Sequence, residues 1–173
     1  MDYTEEIQAY RQEKDEYLKN SPRSPLSLGV QQKFDGLEYY PISEDYRFEL
    51  ILHENPSPEE IIMDTSDGQS RQYYDIGYLE FEVQGQSAQI HIYQSSRNPD
   101  HYFVPFRDET SGKETYGAGR YLDIEKVAGK FQLDFNKSYN PFCAYSDAYS
   151  CPLPPMDNWL DLPIKAGEKS FKK

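Results

Sequence analysis

The first pattern along the chain is helical. Between positions 2 and 19, apolar and aromatic side chains recur at steps of three and four residues, and charged or amide side chains fill the other positions. Asp2, with Glu5 three residues later, forms a capping pair, and the prolines that follow end the pattern. The sequence therefore predicts an amphipathic helix over residues 2–19 that lies on another element. The segment 24–33 is ambiguous and allows a short second helical turn.

From residue 37 onward the pattern changes to the two-residue alternation of β-strands. The clearest hairpin is predicted over 79–92, because apolar and polar residues alternate on both sides of a turn at 84–86. Further strands are predicted over 46–52, 60–65, 71–75, 102–106, 119–125 and 130–135. Short strands without helices of crossover length favour a mainly β fold, in which an antiparallel meander forms a barrel or a two-layer sandwich. The N-terminal helix would cover an open end or edge.

The C-terminal part of the chain follows neither period. Residues 136–163 contain five prolines and five large aromatic side chains. A structureless stretch of this length is uncommon inside a compact domain, and its aromatic content argues against disorder. We therefore expect residues 136–168 to form an ordered strap wrapped across the sheet. The whole chain, 1–173, is expected to be a single domain with its β core over 37–135.

Composition limits the classes of protein to consider. The 173 residues suit one domain, and 16 tyrosines point to a small core rich in aromatic rings. The 18 basic and 30 acidic residues give a net charge of −12, without a basic stripe that would bind a phosphate backbone. Nucleic acid is therefore not an expected partner. Because the sequence has neither a long apolar run nor an apolar stretch in its charged N-terminus, we expect no membrane partner, no secretory signal and a cytoplasmic location.

The loop 106–121 concentrates charged and hydroxyl side chains together with three glycines. It lacks the glycine spacing and the following helix of a phosphate loop. Glycines next to strand ends allow successive backbone N–H groups to form an anion-holding nest, and Arg107 and Arg120 could bind a carboxylate or phosphate in bidentate fashion. The alternative is a hairpin loop whose charges pair among themselves, for example Arg120 with Asp108 or Asp134.

Two further pairs of side chains carry possible chemistry. Asp134 and Asn136 lie two apart on the last predicted strand, so both point to one face, where they could bind a ligand or hold backbone donors of the next turn. Cys143 and Cys151 are too few for a zinc site without histidines at metal spacing, so neither a metal nor a cofactor is predicted. Cys143 as a nucleophile would need a histidine brought in by the fold. In a reducing compartment the two cysteines would remain buried thiols rather than form a disulfide.

Four motifs carry a family resemblance. They read F-R-D-E-T-S-G-K-E-T-Y-G-A-G-R-Y-L at 106–122, L-D-F-N-x-x-Y-N-P-x-C-A-Y at 133–145, C-P-L-P-P-x-x-N at 151–158 and I-x-A-G-E at 164–168. With these motifs the chain resembles the family catalogued as domain of unknown function 1684. The resemblance brings with it neither an activity nor a site residue. It implies that the motifs work as one unit, which places the 106–121 loop beside the strap.

The leading hypothesis for function is a binding module. A small polar or anionic ligand would lie in a pocket between the 106–121 loop and the 134–151 part of the strap. The residues expected to line it are Arg107, Thr115, Tyr116, Arg120, Asp134, Asn136, Tyr139, Asn140, Cys143 and Tyr145. One alternative is a hydrolytic or thiol-dependent enzyme that uses Cys143 or Asp134 in the same pocket, although the sequence designates no catalytic residue. The other is a purely structural lid without a ligand.

Overall fold

The computed structural model describes residues 1–171. The chain begins with helix α1 (Tyr3–Asn20), and a short helix α2 (Leu28–Lys33) follows it. Asp2 caps α1: its carboxylate accepts a hydrogen bond from the Glu5 backbone N–H, and the Glu5 carboxylate accepts one from the Asp2 backbone N–H. The amphipathic helix and its capping pair are therefore confirmed.

Within residues 1–171, eight strands form one antiparallel sheet that is curved into a half-barrel. The strands are β1 (Arg47–Leu50), β2 (His53–Glu54), β3 (Glu60–Asp64), β4 (Ser70–Val83), β5 (Gln86–Ser95), β6 (Tyr102–Phe106), β7 (Arg120–Val127) and β8 (Lys130–Asp134). Their order across the sheet is β1-β8-β7-β6-β5-β4-β2, and β3 pairs with the N-terminal part of β4. The expectation of a mainly β, antiparallel fold with an N-terminal helix is confirmed.

The fourth strand differs from the prediction. The sequence predicts two strands, over 71–75 and 79–83, but β4 runs through both and pairs with β5 along its length. A β-bulge between Asp75 and Gly77 shifts the register within this pairing. Because a bulge adds a residue to one strand without ending the pairing, the interruption of the alternation does not mark a turn.

Apolar side chains cover both faces of the sheet. The larger cluster is built on alternate residues such as Ile90 and Ile92 of β5, and C-terminal residues from Leu160 to Ala166 pack into it. On the other face, Tyr93 and Phe103 belong to a smaller cluster with Cys151. Both clusters therefore combine strands with residues from the end of the chain.

A test of the bulge uses Gly77. Its φ is +136°, and a side-chain Cβ there would collide with the carbonyl oxygen of His53 in the neighbouring strand β2. We expect Gly77→Ala to lower the free energy of unfolding by about 3 kcal/mol or more, because backbone strain adds to the clash. Gly85→Ala is the matched control, since Gly85 also has a positive φ but has open space around it. It should cost only about 1 kcal/mol. Equal losses in urea denaturation would contradict the role of the clash.

Candidate functional site

Arg120, at the start of β7, is completely buried. Its guanidinium donates to the backbone carbonyl oxygens of Ile164 at 2.9 Å, Ala166 at 2.5 Å and Glu168 at 3.2 Å. The Asp108 carboxylate lies 3.6 Å from it and balances its charge. Arg120 therefore binds groups of the protein itself, including the Asp108 partner that the sequence offered as an alternative.

Asp108 links Arg120 to hydroxyl groups of the 106–121 loop. Its carboxylate accepts hydrogen bonds from the Thr110 hydroxyl at 2.8 Å and from the Ile164 backbone N–H at 2.6 Å. The Thr110 hydroxyl is in turn 2.9 Å from that of Thr115, and both threonines are buried. Thr115, one of the predicted ligand residues, thus belongs to an internal network that holds the loop against the C-terminal segment.

Arg107 makes different contacts. Its guanidinium lies 4.8 Å from the ring centre of Trp159, and its backbone N–H donates to the carbonyl oxygen of Asn158. Trp159 is 46% exposed, so this stacking takes place at the surface. The structure therefore does not bring Arg107 and Arg120 together around one ligand.

Asp134 and Asn136 lie together where β8 ends. Asp134 accepts hydrogen bonds from the Tyr3 hydroxyl at 2.7 Å and from the Asn136 backbone N–H at 3.0 Å. The Asn136 amide accepts from the backbone N–H of Ser43 and donates to its carbonyl oxygen. Asn136 itself lies in a short 3-10 helix, because the strand ends at Asp134 and not at residue 135 as predicted. The pair fixes α1 and the chain before β1 to the end of the sheet.

Asp134 and Tyr139 also line a groove between α1 and the strands β1, β7 and β8, with a volume of about 420 Å³. Tyr3 and Tyr10 of α1 form its other wall. The hydroxyl of Tyr139 donates to the Asp123 carboxylate. Burial raises the pKa of Tyr139, and the negative charge of Asp123 raises it further. The groove therefore combines phenol rings with carboxylates.

Asn140 and Tyr145 surround a buried ion pair. The ammonium of Lys14 lies 2.6 Å from a Glu168 carboxylate oxygen and 5.9 Å from the centre of the Tyr145 ring. The same carboxylate oxygen accepts from the Asn140 backbone N–H at 3.2 Å. Burial raises the pKa of Glu168, and the Lys14 charge opposes that rise. These predicted ligand residues therefore lie where the segment around Glu168 is held against α1.

The 106–121 loop and the 134–151 segment meet at a pair of cysteines. The Tyr116 hydroxyl lies 3.6 Å from the Cys143 sulfur, and the Cys143 backbone N–H lies 3.4 Å from the Cys151 sulfur. Both cysteines are free thiols; Cys143 is partly exposed and Cys151 is buried. A hydrogen bond from Cys151 lowers the pKa of Cys143 to about 6, burial opposes this, and the hydroxyls of Tyr116 and Ser66 lower it further.

Two contacts near these sites have no signal in the linear sequence. Ser66 reaches the cysteine pair from the turn after β3, where its hydroxyl accepts a hydrogen bond from the Cys151 backbone N–H at 3.2 Å. His91 of β5 lies with its Nδ1 2.9 Å from an Asp75 carboxylate oxygen of β4. Both contacts join residues from separate strands or loops, so no linear spacing could have shown them.

Comparisons with other proteins place the chain among relatives of unknown activity. A family model described as a protein of unknown function (DUF1684) matches residues 32–169. The solution NMR structure of an uncharacterized protein from Haloarcula marismortui is similar with a TM-score of 0.72 and 38% sequence identity, over 95% of this chain and 92% of that chain. The curated proteins offer no match. Neither helix within residues 1–171 is both long enough and apolar enough to span a bilayer.

The two arginines provide a test of their different roles. We expect Arg120→Ala to lower the free energy of unfolding by about 3 to 5 kcal/mol, because it leaves the Asp108 carboxylate buried without its cation. Arg107→Ala removes only a surface contact with Trp159 and should cost about 0.5 to 1 kcal/mol. Urea denaturation followed by circular dichroism measures both values. A small loss for Arg120→Ala would show that the buried contact contributes little.

Proposed function

The chain belongs to the DUF1684 family of proteins of unknown function, and from that premise we propose that it acts as a thiol-dependent oxidoreductase. Cys143 is the nucleophile and Cys151 is the second, resolving thiol. The observation that carries the proposal is the contact of Cys143 with both the Tyr116 hydroxyl and Cys151. These residues come from the loop and the segment between which the sequence predicts a site.

The electrostatics of the pair support this division of roles. The thiolate is the reactive form of cysteine, and the lowered pKa of Cys143 favours that form. The pKa of Cys151 is raised, chiefly by its hydrogen bond to Cys143 and also by burial, so Cys151 keeps its proton. In this proposal Cys143 attacks the substrate first, and Cys151 reacts only after the first step has occurred.

The proposed reaction is exchange with a small disulfide, R–S–S–R. The Cys143 thiolate attacks one sulfur, forms a protein–S–S–R mixed disulfide and releases R–S⁻. Cys151 then loses its proton to the released R–S⁻ or to water and attacks the Cys143 sulfur. This second step forms the Cys143–Cys151 disulfide and releases the second R–S⁻. The thiolate and the thiol of the protein are oxidised to a disulfide, and R–S–S–R is reduced to two R–S⁻ groups that share the one proton of Cys151, so atoms, electrons and charge balance.

In this proposal, most of the residues expected to bind a ligand position the cysteine pair instead. Arg120, Thr115 and Asn140 hold the loop and the C-terminal segment in contact, and Tyr116 stabilises the thiolate. We further propose that the chain is a single domain. In this domain, residues 136–168 form a strap that crosses the sheet and carries Cys143. A reducing compartment such as the cytoplasm would return the disulfide to the dithiol.

The groove under α1 supports a second candidate function, the binding of a small organic cation. It is lined by three tyrosines and by four carboxylates against two basic side chains: Tyr3, Tyr10, Tyr139, Glu6, Asp123, Glu125, Asp134, Arg47 and Lys137. Phenol faces and an excess of carboxylates favour a cationic ligand over the anionic one considered from the sequence.

The dithiol reaction has a stoichiometric test. With an aromatic disulfide that releases a coloured thiol, we expect the wild type to release two equivalents per chain. Cys151→Ser should release one and retain the mixed disulfide, which mass spectrometry detects. Cys143→Ser should lose the fast phase. Release of a single equivalent by the wild type, with a stable mixed disulfide, would remove Cys151 from the reaction.

The pH dependence of the same reaction tests the activation of Cys143. Since the thiolate fraction grows as pH rises through the pKa, the rate should reach half its maximum near pH 6. Tyr116→Phe removes a donor to the thiolate and should move this midpoint to higher pH. Tyr17→Phe is the matched control, because its hydroxyl donates to the Arg23 carbonyl on the surface. A wild-type midpoint near that of a free cysteine, about 8.5, would contradict the proposal.

The groove is tested by thermal denaturation with a quaternary ammonium ion and with a carboxylate of similar size. We expect only the ammonium ion to raise the midpoint temperature, and Glu125→Gln to reduce that rise because it removes one lining carboxylate. Glu109→Gln, at an exposed position outside the groove, serves as the control. An equal rise with the carboxylate would rule out a cation site.

A further inference from the structure

We propose that Asp75, His91 and Asp157 form a binding site for a divalent transition-metal ion, with Zn²⁺ as the reference ion. Each residue offers one ligand atom, and these three atoms all lie within 4.8 Å of one another. The site shares no residue with the cysteine pair and is independent of the proposed thiol chemistry.

The bulge in β4 builds the first half of the site. Asp75 pairs across the sheet with Tyr93, and the register shift that follows places its carboxylate oxygens 2.9 and 3.1 Å from the His91 Nδ1. The Gly77 backbone N–H donates to the same carboxylate at 3.1 Å. The carboxylate is therefore held against the imidazole by both backbone and side chain.

Asn158 builds the second half. Its side-chain amide accepts from the His91 backbone N–H at 2.7 Å and donates to the carbonyl oxygens of His91 at 3.0 Å and Pro105 at 2.9 Å. Asn158 is completely buried, so these bonds fix the 3-10 helix 156–158 to β5 and β6. The preceding residue, Asp157, is thereby kept next to His91 while its carboxylate stays exposed.

The donor set suits a transition metal. One imidazole and two carboxylates are the ligand types that zinc and its neighbours accept from proteins, and three protein ligands leave a coordination position open for water. A cation between two neighbouring carboxylates would relieve the repulsion between them.

A separate observation is a buried polar side chain close to these residues. The Tyr93 hydroxyl has no hydrogen-bond partner within residues 1–171, although Tyr93 is only 1% exposed. Tyr93 pairs with Asp75 across the sheet, and its ring centre lies 6.4 Å from that of His91, so Tyr93 is on the same face of the sheet as the site. A water molecule on the open position of the metal would supply the acceptor that this buried hydroxyl needs.

A second histidine–carboxylate pair, formed by His101, can be compared with the pair at His91. His101 also contacts a carboxylate, with its Nε2 2.6 Å from an Asp123 oxygen. That pair lies on the surface, with side chains 39% and 45% exposed, and among residues 1–171 no third ligand group completes a metal-binding cluster around it. His101 therefore represents an ordinary histidine–carboxylate contact against which His91 can be measured.

The test is calorimetric titration of the full chain with Zn²⁺, with Co²⁺ absorption to identify the ligand type. We expect one equivalent of Zn²⁺ to bind and to raise the thermal midpoint, and we expect bound Co²⁺ to show no thiolate charge-transfer band. Asp157→Asn should weaken binding by at least about tenfold, and His91→Ala should abolish it. His101→Ala should bind as the wild type does.

Several outcomes would overturn the site. The first is that the wild type does not bind Zn²⁺, and the second is that His101→Ala weakens binding as much as His91→Ala does. The third is that the double variant Cys143→Ser/Cys151→Ser loses binding while Asp157→Asn still binds fully. Because Asp157 is exposed, Asp157→Asn should keep the metal-free midpoint temperature of the wild type. If His91→Ala does not fold, the result for Asp157→Asn therefore decides the question.

Discussion

The contact on which the structure depends is the one between the Arg120 guanidinium and the C-terminal backbone. A segment without regular secondary structure leaves its carbonyl groups without partners, and burying them in an apolar cluster would be costly. Arg120 supplies donors to three of these carbonyl groups at once, and Asp108 balances its charge while accepting from the Ile164 N–H. One buried ion pair thus lets the apolar side chains from Leu160 to Ala166 enter the main core.

The same arrangement connects the fold to the proposed chemistry. The Asp108 network shapes the loop that carries Tyr116, while backbone bonds between Tyr121 and Tyr139 fix the start of the segment that carries Cys143. The hydroxyl and the thiol therefore meet because two elements are anchored separately to β7. Anchoring of this kind fixes donors around a thiolate before any substrate arrives, which is the arrangement that lowers a cysteine pKa.

The regular elements could be predicted from the sequence because their signals are local. Helix α1 follows from its apolar period and its capping pair, and β6 coincides with the predicted strand 102–106. The bulge at Asp75 was missed because a single extra residue looks like the end of a strand. Asp108 could be foreseen as one possible partner of Arg120, but the three carbonyl partners could not, since backbone carbonyls carry no residue-specific signal. The cluster of Asp75, His91 and Asp157 likewise depends on a bulge and on a turn anchored by Asn158.

The ion pair between Lys14 and Glu168 joins α1 to a segment that lies 154 residues later in the sequence. A ribosome therefore makes Lys14 long before it makes Glu168. During synthesis, α1 therefore emerges long before its buried partner exists, and the core also waits for the residues from Leu160 to Ala166. The aromatic-rich strands must therefore stay free of aggregation until residues 160–168 have left the ribosome, because the core cannot close before then.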